Sequence, residues 1–218
     1  MRLVVENLAC RRGVRVLFQR LGFTLDAGRA LIVTGPNGTG KSSLLRLLAA
    51  LARPEAGRMR LEGAPEPGDF AEEAHYLGHL DAHKPALSAR ENLAFWRDML
   101  GRPALTVAEA MEAVGLGGLE RLPVAVLSAG QKRRLALARL LVAERPLWLL
   151  DEPTTALDAA AQARFAALAR AHLAKGGLIV AATHAPLDVG PSDALDLGAR
   201  CPARPVAAAW ASDAGHVT

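Results

Sequence analysis

The most constraining feature of this chain is the segment Gly35-Pro36-Asn37-Gly38-Thr39-Gly40-Lys41-Ser42, which has the full spacing of a phosphate-binding loop. The apolar run Ala30–Thr34 before it suits a buried strand, and the leucine-rich stretch from Ser43 to about Ala52 suits a helix. A glycine-rich turn that arose by chance would not be expected to have both flanks. The segment therefore predicts a strand, a phosphate-binding loop and a helix in succession.

Each part of this loop has a role in holding a polyphosphate. Its glycines let successive backbone N–H groups point at phosphate oxygens, and the following helix presents its positive N-terminal end. Lys41 adds a mobile positive charge for the β- and γ-phosphates and is a candidate catalytic residue, while the Ser42 hydroxyl can ligate Mg²⁺. We predict nucleotide contacts from Gly35, Pro36, Asn37, Gly38, Thr39, Gly40, Lys41, Ser42 and Ser43.

Two carboxylates follow a second buried strand. The run Leu147–Leu150 is apolar throughout and leads directly into Asp151 and Glu152. In an open α/β sheet, ligands bind at the carboxyl ends of the strands, although acidic residues also end strands that have no function. Beside a phosphate-binding loop the functional interpretation is favoured. We predict that Asp151 holds Mg²⁺ and that Glu152 polarises the water that attacks the γ-phosphate.

The segment Leu127-Ser128-Ala129-Gly130-Gln131 precedes the acidic strand and has the residues of a capped helix start. Taken alone, it could be a plain structural cap. In this position it resembles the signature motif of the ABC (ATP-binding cassette) family, which kinases, GTPases and helicases lack. The resemblance implies that Ser128, Ala129, Gly130 and Gln131 contact the γ-phosphate of a nucleotide bound by a second copy of the chain, in a head-to-tail dimer.

Two further segments are similar to the family. Thr155-Ala156-Leu157-Asp158 resembles the D-loop, which communicates across the dimer, and His184 follows the apolar run Leu178–Ala182 in the manner of the switch histidine. The resemblance implies that His184 contacts the γ-phosphate and helps to order Glu152 and the attacking water. It also implies ATP and Mg²⁺ as cofactors, ATP hydrolysis coupled to transport, and integral membrane subunits as partners.

The chain departs from the family pattern at two positions. Where the family often has an aromatic residue that stacks on adenine, this chain has Arg12, whose planar guanidinium could stack on the base or simply be solvated. Where the family usually has a glutamine that reaches Mg²⁺ and the attacking water, this chain has His79. We treat Arg12 as a candidate ATP contact and His79 as a candidate substitute for that glutamine.

The segment Ala74–Leu87 is similar to the corresponding part of the CcmA family, the ATP-binding subunits of cytochrome c maturation, also described as haem-exporter subunits. This resemblance implies haem delivery for c-type cytochrome assembly, with CcmB-like and CcmC-like membrane partners. It also implies a peripheral position on the cytoplasmic face of the bacterial inner membrane. The alternative within the transporter class is the ATP subunit of another importer or exporter.

The pattern predicts an α/β fold of the P-loop NTPase type, with a RecA-like core, a mostly parallel sheet and a small antiparallel β portion. Leu3–Leu8 and Gly22–Leu25 are predicted as short strands of that antiparallel portion. A helical subdomain is expected at about 88–140, inserted in one ATP-binding domain at 1–200, and the tail at 201–218 is poorly determined. Three hydroxyl residues followed by Glu or Gln predict helix starts, at Ser88/Glu91, Thr106/Glu109 and Ser128/Gln131.

Composition excludes some classes of protein. No apolar run approaches the roughly 18 to 20 residues of a membrane-spanning helix, so we expect a cytosolic chain. The net charge of +4 permits anionic partners without requiring them. A soluble nucleic-acid-associated ABC ATPase is therefore an alternative function. We expect no nucleic-acid partner, because the chain is one short cassette. The signature motif argues against a small-molecule P-loop kinase. Cys10 and Cys201 lie far apart and predict neither a disulfide nor a zinc site.

Overall fold

The computed structural model describes residues 1–63 and 70–200. The predicted tail at 201–218, together with Cys201, lies outside the described residues. Within the described part, no helix is long and apolar enough to cross a membrane. The strands are β1 (Arg2–Arg12), β2 (Arg15–Asp26), β3 (Ala30–Thr34), β4 (Ala56–Glu62), β5 (Ala74–Leu77), β6 (Leu147–Asp151), β7 (Leu178–Ala182) and β8 (Ser192–Asp196).

The N-terminal strands form an antiparallel sheet in the order β2-β1-β4. Strands β1 and β2 are much longer than the predicted segments Leu3–Leu8 and Gly22–Leu25, and they join in a hairpin at Gly13. Register shifts interrupt the pairing of β1 with both of its neighbours. These irregularities break the alternation of apolar and polar residues, which is why the sequence pattern showed only part of each strand.

The other five strands form a parallel sheet in the order β5-β6-β7-β3-β8. Because the strands are parallel, all of their carboxyl ends lie at one edge. Strands β6 and β7 are buried at every residue, as continuous apolar runs predict. The topology thus brings the segments after β3, β5, β6 and β7 together.

The helices follow the predicted start signals. Ser88, Thr106 and Ser128 each cap a helix through a reciprocal capping box. The helix after the phosphate-binding loop ends at Leu48 rather than near Ala52, since Ala50 adopts a left-handed conformation with φ 53°. The helices are α1 (Lys41–Leu48), α2 (Ala89–Leu100), α3 (Val107–Ala113), α4 (Ala129–Val142), α5 (Ala159–Ala174) and α6 (Leu197–Arg200), with 3₁₀ turns at Phe70–Glu73 and Val124–Val126.

The parallel sheet separates two apolar cores. Leu147 and Leu149 of β6 face the core that contains α1 and the antiparallel sheet, whereas Trp148 and Leu150 face the core that contains α2 to α5. This alternation follows from the two-residue period of a strand. Helices α2, α3 and α4 pack together in the second core and fall in the region at about 88–140 where a helical subdomain was predicted.

Two neutral histidines pack around Trp148 of β6. His75 of β5 pairs with Trp148 across the sheet and donates from Nε2 to the carbonyl oxygen of Ala143 at 2.9 Å. The ring of His172 stacks on Trp148 with centroids 4.0 Å apart and donates to the carbonyl oxygen of Pro146 at 3.1 Å. Burial lowers the pKa of His75 to about 3 and that of His172 to about 4. Both rings are therefore uncharged at neutral pH.

We expect these two histidines to make folding sensitive to mild acid. Below about pH 6.5 the histidines become protonated in the unfolded chain but stay neutral in the folded one. Their contribution to the free energy of unfolding is therefore fully present above that pH and is lost as pH falls toward 4. The free energy of unfolding should fall by roughly 2 kcal/mol per histidine between pH 7.5 and pH 5. Urea denaturation at pH 7.5 and 5.0 measures this change. The variant His172→Phe keeps the stacked ring and should lose part of the pH dependence; an unchanged dependence would contradict the assignment.

Candidate nucleotide-binding site

A cavity of about 480 Å³ lies at the carboxyl edge of the parallel sheet. It brings together residues that are far apart in the sequence: most belong to the segments around the ends of β3, β5, β6 and β7, and two come from β1 and β2 of the antiparallel sheet. All but one of its lining residues were predicted as site residues; the addition is Leu17 of β2, whose apolar character carried no functional signal. The lining residues are Arg12, Leu17, Asn37, Gly38, Gly40, Lys41, Ser42, Ser43, His79, Asp151, Glu152 and His184.

The phosphate-binding loop curls as its glycines allow. Gly35, Gly38 and Gly40 have φ of 131°, 79° and 105°, a region that residues with a side chain rarely adopt. Thr39 closes the turn by donating from its hydroxyl to the carbonyl oxygen of Pro36 at 2.9 Å. The loop then passes directly into α1, whose first residues present unpaired N–H groups to the cavity.

Lys41, the first residue of α1, is buried, and its side chain turns back to the loop. Its Nζ donates to the carbonyl oxygens of Gly35 at 2.7 Å and Pro36 at 3.3 Å, and it lies 2.9 Å from Nε2 of His184. The same Nε2 lies 2.9 Å from Oδ1 of Asn37. One ring nitrogen either accepts from the ammonium or donates to the amide oxygen, so the two contacts are alternatives. His184, from the end of β7, thus reaches the loop that follows β3.

The carboxylates at the end of β6 have different environments. Asp151 is buried, whereas Glu152 is partly exposed and lies across the cavity from His184, with 3.9 Å between Oε1 and Nε2. Glu152 has a left-handed backbone with φ 48°, which costs about 1–3 kcal/mol in a residue with a side chain. Its N–H donates to the carbonyl oxygen of Ala182 at 2.8 Å, which fixes the turn. The two carboxylates thus differ in burial and in backbone conformation, and their assignment to Mg²⁺ and to the attacking water stays a prediction.

The donor set of the cavity fits Mg²⁺ bound together with a nucleotide. Mg²⁺ is commonly held by one or two protein oxygens plus phosphate oxygens and water. The Ser42 hydroxyl and the Asp151 carboxylate supply such oxygens in the same cavity, and His79 lines it as well. Within residues 1–63 and 70–200, no group of three or more His, Cys, Asp or Glu side chains is arranged to hold a metal ion. The oxygens of Ser42 and Asp151 fit a Mg²⁺ ion that is also bound by phosphate oxygens.

The signature segment does not line this cavity. Ser128 and Ala129 are exposed at the start of α4, and the N–H of Gln131 donates to Ser128 Oγ at 3.2 Å while its Oε1 accepts from the Ser128 N–H at 2.8 Å. Gly130 packs so closely against the D-loop-like segment that an added Cβ would lie 2.9 Å from the carbonyl oxygen of Ala156. The predicted ligand-binding end of α4 is thus presented to the outside of the chain.

Comparison with known proteins agrees with this geometry. Residues 18–155 match the family described as ABC transporter. The cytochrome c biogenesis ATP-binding export protein CcmA of Mesorhizobium japonicum is 56% identical over 190 residues, covering 87% of this chain and 94% of that protein. This chain belongs to the CcmA family of ABC transporter proteins. A CcmA protein of Chelativorans sp. is 52% identical over 200 residues, covering 91% of this chain and 99% of that CcmA sequence.

Solved structures share the fold at low sequence identity. A putative ABC transporter ATP-binding protein from Pyrococcus furiosus has a TM-score of 0.78 at 21% identity, covering 92% of this chain and 100% of its own. The ATP-binding cassette MJ0796, described as a dimeric post-hydrolysis state bound to ADP and Pi, has a TM-score of 0.72 at 21% identity, covering 84% and 88%. The predicted ABC ATPase fold and the predicted CcmA family are confirmed.

The tight packing of Gly40 leads to a prediction. An added Cβ would lie 3.1 Å from Cβ of Leu17 and 3.2 Å from the Phe18 ring, at a φ of 105°. Gly40→Ala should therefore lower the free energy of unfolding by about 1–3 kcal/mol and weaken ATP binding. Gly176→Ala is the matched control, because Gly176 has φ 84° and open space around it. Thermal denaturation measures the loss of stability in each variant. Equal losses in Gly40→Ala and Gly176→Ala would contradict a role for the packing of Gly40 against Leu17 and Phe18.

Proposed function

We propose that this chain is the ATP-hydrolysing subunit of an ABC transporter complex that energises haem delivery for c-type cytochrome assembly. The observation that carries the proposal is the single cavity that contains Lys41, Ser42, Asp151, Glu152 and His184. Family membership supports ATP hydrolysis coupled to transport. The haem-delivery role is supported by the names of the curated relatives, which call them cytochrome c biogenesis export proteins.

In the proposed mechanism the residues bind, orient and move a proton. The phosphate-binding loop surrounds the phosphates, and Lys41 exchanges its loop carbonyls for phosphate oxygens. Glu152 orients the attacking water and accepts its proton, while His184 contacts the γ-phosphate from the neighbouring strand. Ser42 and Asp151 would hold Mg²⁺, which would supply positive charge against the charge that develops on the phosphates. His79 serves as the hydrogen-bonding substitute for the usual glutamine, and Arg12 contacts the adenine.

We propose that two copies of the chain complete each site. The residues Ser128 to Gln131 begin a helix whose N-terminal end is exposed and favours an anion, yet they lie outside the cavity of their own chain. A head-to-tail dimer would place that helix end against the γ-phosphate of the opposite copy. The structural neighbour described as a dimeric cassette with ADP and Pi supports this arrangement.

The variant Glu152→Gln tests the mechanism directly. We expect it to bind ATP normally, to lose turnover by about 100-fold or more, and to accumulate as an ATP-bound dimer, because the amide cannot accept the proton. Size-exclusion chromatography with ATP and a phosphate-release assay measure both effects. Lys41→Ala is the contrasting variant, since it should weaken binding and hydrolysis together. Normal turnover in Glu152→Gln would remove Glu152 from its proposed role.

We also propose where the membrane subunits attach. A docking patch of Leu80, Lys84, Phe95 and Met99 joins an exposed loop to α2; Leu80 is 82% and Met99 is 55% exposed. The Lys84 ammonium lies 3.9 Å from the Phe95 ring centroid, and the side chain of Asn92 bonds to the backbone of Lys84 at 2.8 and 3.1 Å. Exposed apolar side chains on α2 and on the loop that follows the cavity residue His79 suit an integral membrane partner, which we propose to be CcmB-like and CcmC-like subunits at the cytoplasmic face of the inner membrane.

Charge placed in the docking patch should detach the chain from membranes. We expect Leu80→Glu with Phe95→Glu to reduce the fraction that co-sediments with inner membranes, and that retains its membrane subunits on purification, by about tenfold. The control Leu51→Glu introduces the same charge at another exposed leucine, 59% exposed, outside the patch. Equal retention of the patch variant and the control would contradict this placement.

A further inference from the structure

Arg133 of α4 is a buried arginine that the nucleotide cavity does not include. Its guanidinium donates to three consecutive carbonyl oxygens at the end of β6. Nη2 reaches Asp151 O at 2.8 Å and Glu152 O at 2.7 Å, and Nε reaches Pro153 O at 3.2 Å. Arg133 therefore holds the backbone on both sides of the proposed base.

The other edge of the same guanidinium holds the segment after β5. Nη1 donates to the carbonyl oxygen of Gly78 at 3.1 Å and to Oδ1 of Asp81 at 2.8 Å. The neighbouring residue of α4 adds a second attachment, because Nε2 of His83 donates to the carbonyl oxygen of Lys132 at 2.9 Å. The segment 78–83, which we call the coupling loop, is thus fastened to the helix that begins at the signature segment.

A single planar group therefore joins three elements: the coupling loop, the signature helix and the end of β6. A guanidinium is planar and rigid, so the N–H groups that bond to the end of β6 and those that bond to the coupling loop cannot move independently. Glu152 is the place where a shift would matter, because its left-handed backbone at φ 48° needs support from its neighbours. Its N–H is held by Ala182 and its carbonyl oxygen by Arg133.

We infer that Arg133 is a positioning residue that couples the coupling loop to the orientation of Glu152, with Asp81 as its counter-ion. The inference rests on the proposed role of Glu152. Leu80, next to Asp81, is exposed and belongs to the docking patch, so a partner that moves this loop also moves the carboxylate that neutralises Arg133. Arg133 is buried and Asp81 is partly exposed, and leaving the buried guanidinium without its counter-ion is unfavourable. A displacement of the loop is thereby transmitted to the backbone of Glu152.

The test separates positioning from general structural support. Arg133→Gln and Arg133→Lys are purified as full chains, and their kcat, KM for ATP, affinity for ATP and melting temperature are measured. We expect kcat to fall about 10- to 100-fold in Arg133→Gln, because the base is misplaced, while the affinity for ATP changes less than about threefold. Lysine keeps the positive charge but lacks the planar set of donors, so the kcat of Arg133→Lys should lie between those of Arg133→Gln and the wild type.

Asp81 tests the coupling without altering Arg133. Asp81→Asn retains an oxygen acceptor and removes the charge, and it should lower kcat by about three- to tenfold. Combined with Arg133→Gln, it should cause no further loss, because both substitutions break the same connection. Adding Arg133→Gln to Glu152→Gln should likewise leave the residual rate unchanged. Additive losses in either double variant would overturn the inference.

Arg139 provides the matched control. It lies in the same helix, and both arginines are 5% exposed, but it donates to the carbonyl oxygen of Tyr76 and lies 4.4 Å from the Trp96 ring. Arg139→Gln should lower the melting temperature with kcat per folded molecule within about twofold of the wild type. An equal loss of kcat in Arg139→Gln, or an unchanged kcat in folded Arg133→Gln or Asp81→Asn, overturns the inference. A wild-type chain that does not hydrolyse ATP, alone or with membrane partners, overturns the proposed function itself.

Discussion

Parallel pairing of five strands is the constraint on which the rest of this structure depends. Because β5, β6, β7 and β3 are neighbours that run in one direction, the four segments that follow them meet at one edge of the sheet. The side chains of Lys41, Glu152 and His184 come from three of these segments, which follow the adjacent strands β3, β6 and β7. The pairing is stable because both faces of β6 and β7 are buried.

Local chemistry explains why much of the site could be predicted from the sequence. The phosphate-binding loop needs glycines at fixed positions, and a buried strand that ends in two carboxylates is unusual enough to be noticed. The capping boxes at Ser88, Thr106 and Ser128 were predictable for the same reason, since each depends on residues three positions apart. The resemblance to ABC proteins then implied the dimer and the roles of Ser128 and His184.

The features that were not predicted depend on contacts between distant parts of the chain. Arg133 is one of several arginines after the signature segment, and the sequence alone gives no reason to distinguish it from a solvated charge. Its importance appears only when Gly78, Asp81 and Glu152 are seen around one guanidinium. The full lengths of β1 and β2 were missed for a different reason, because bulges shift the side chains out of a simple alternation.

The contacts of Lys41 have a thermodynamic consequence for nucleotide exchange. Its ammonium already donates to the carbonyl oxygens of Gly35 and Pro36, so an arriving phosphate replaces existing hydrogen-bond partners. The net gain is the difference between two sets of hydrogen bonds. This competition lowers the affinity of the loop for phosphate, and it lets the lysine bond to the loop carbonyls again when the product leaves.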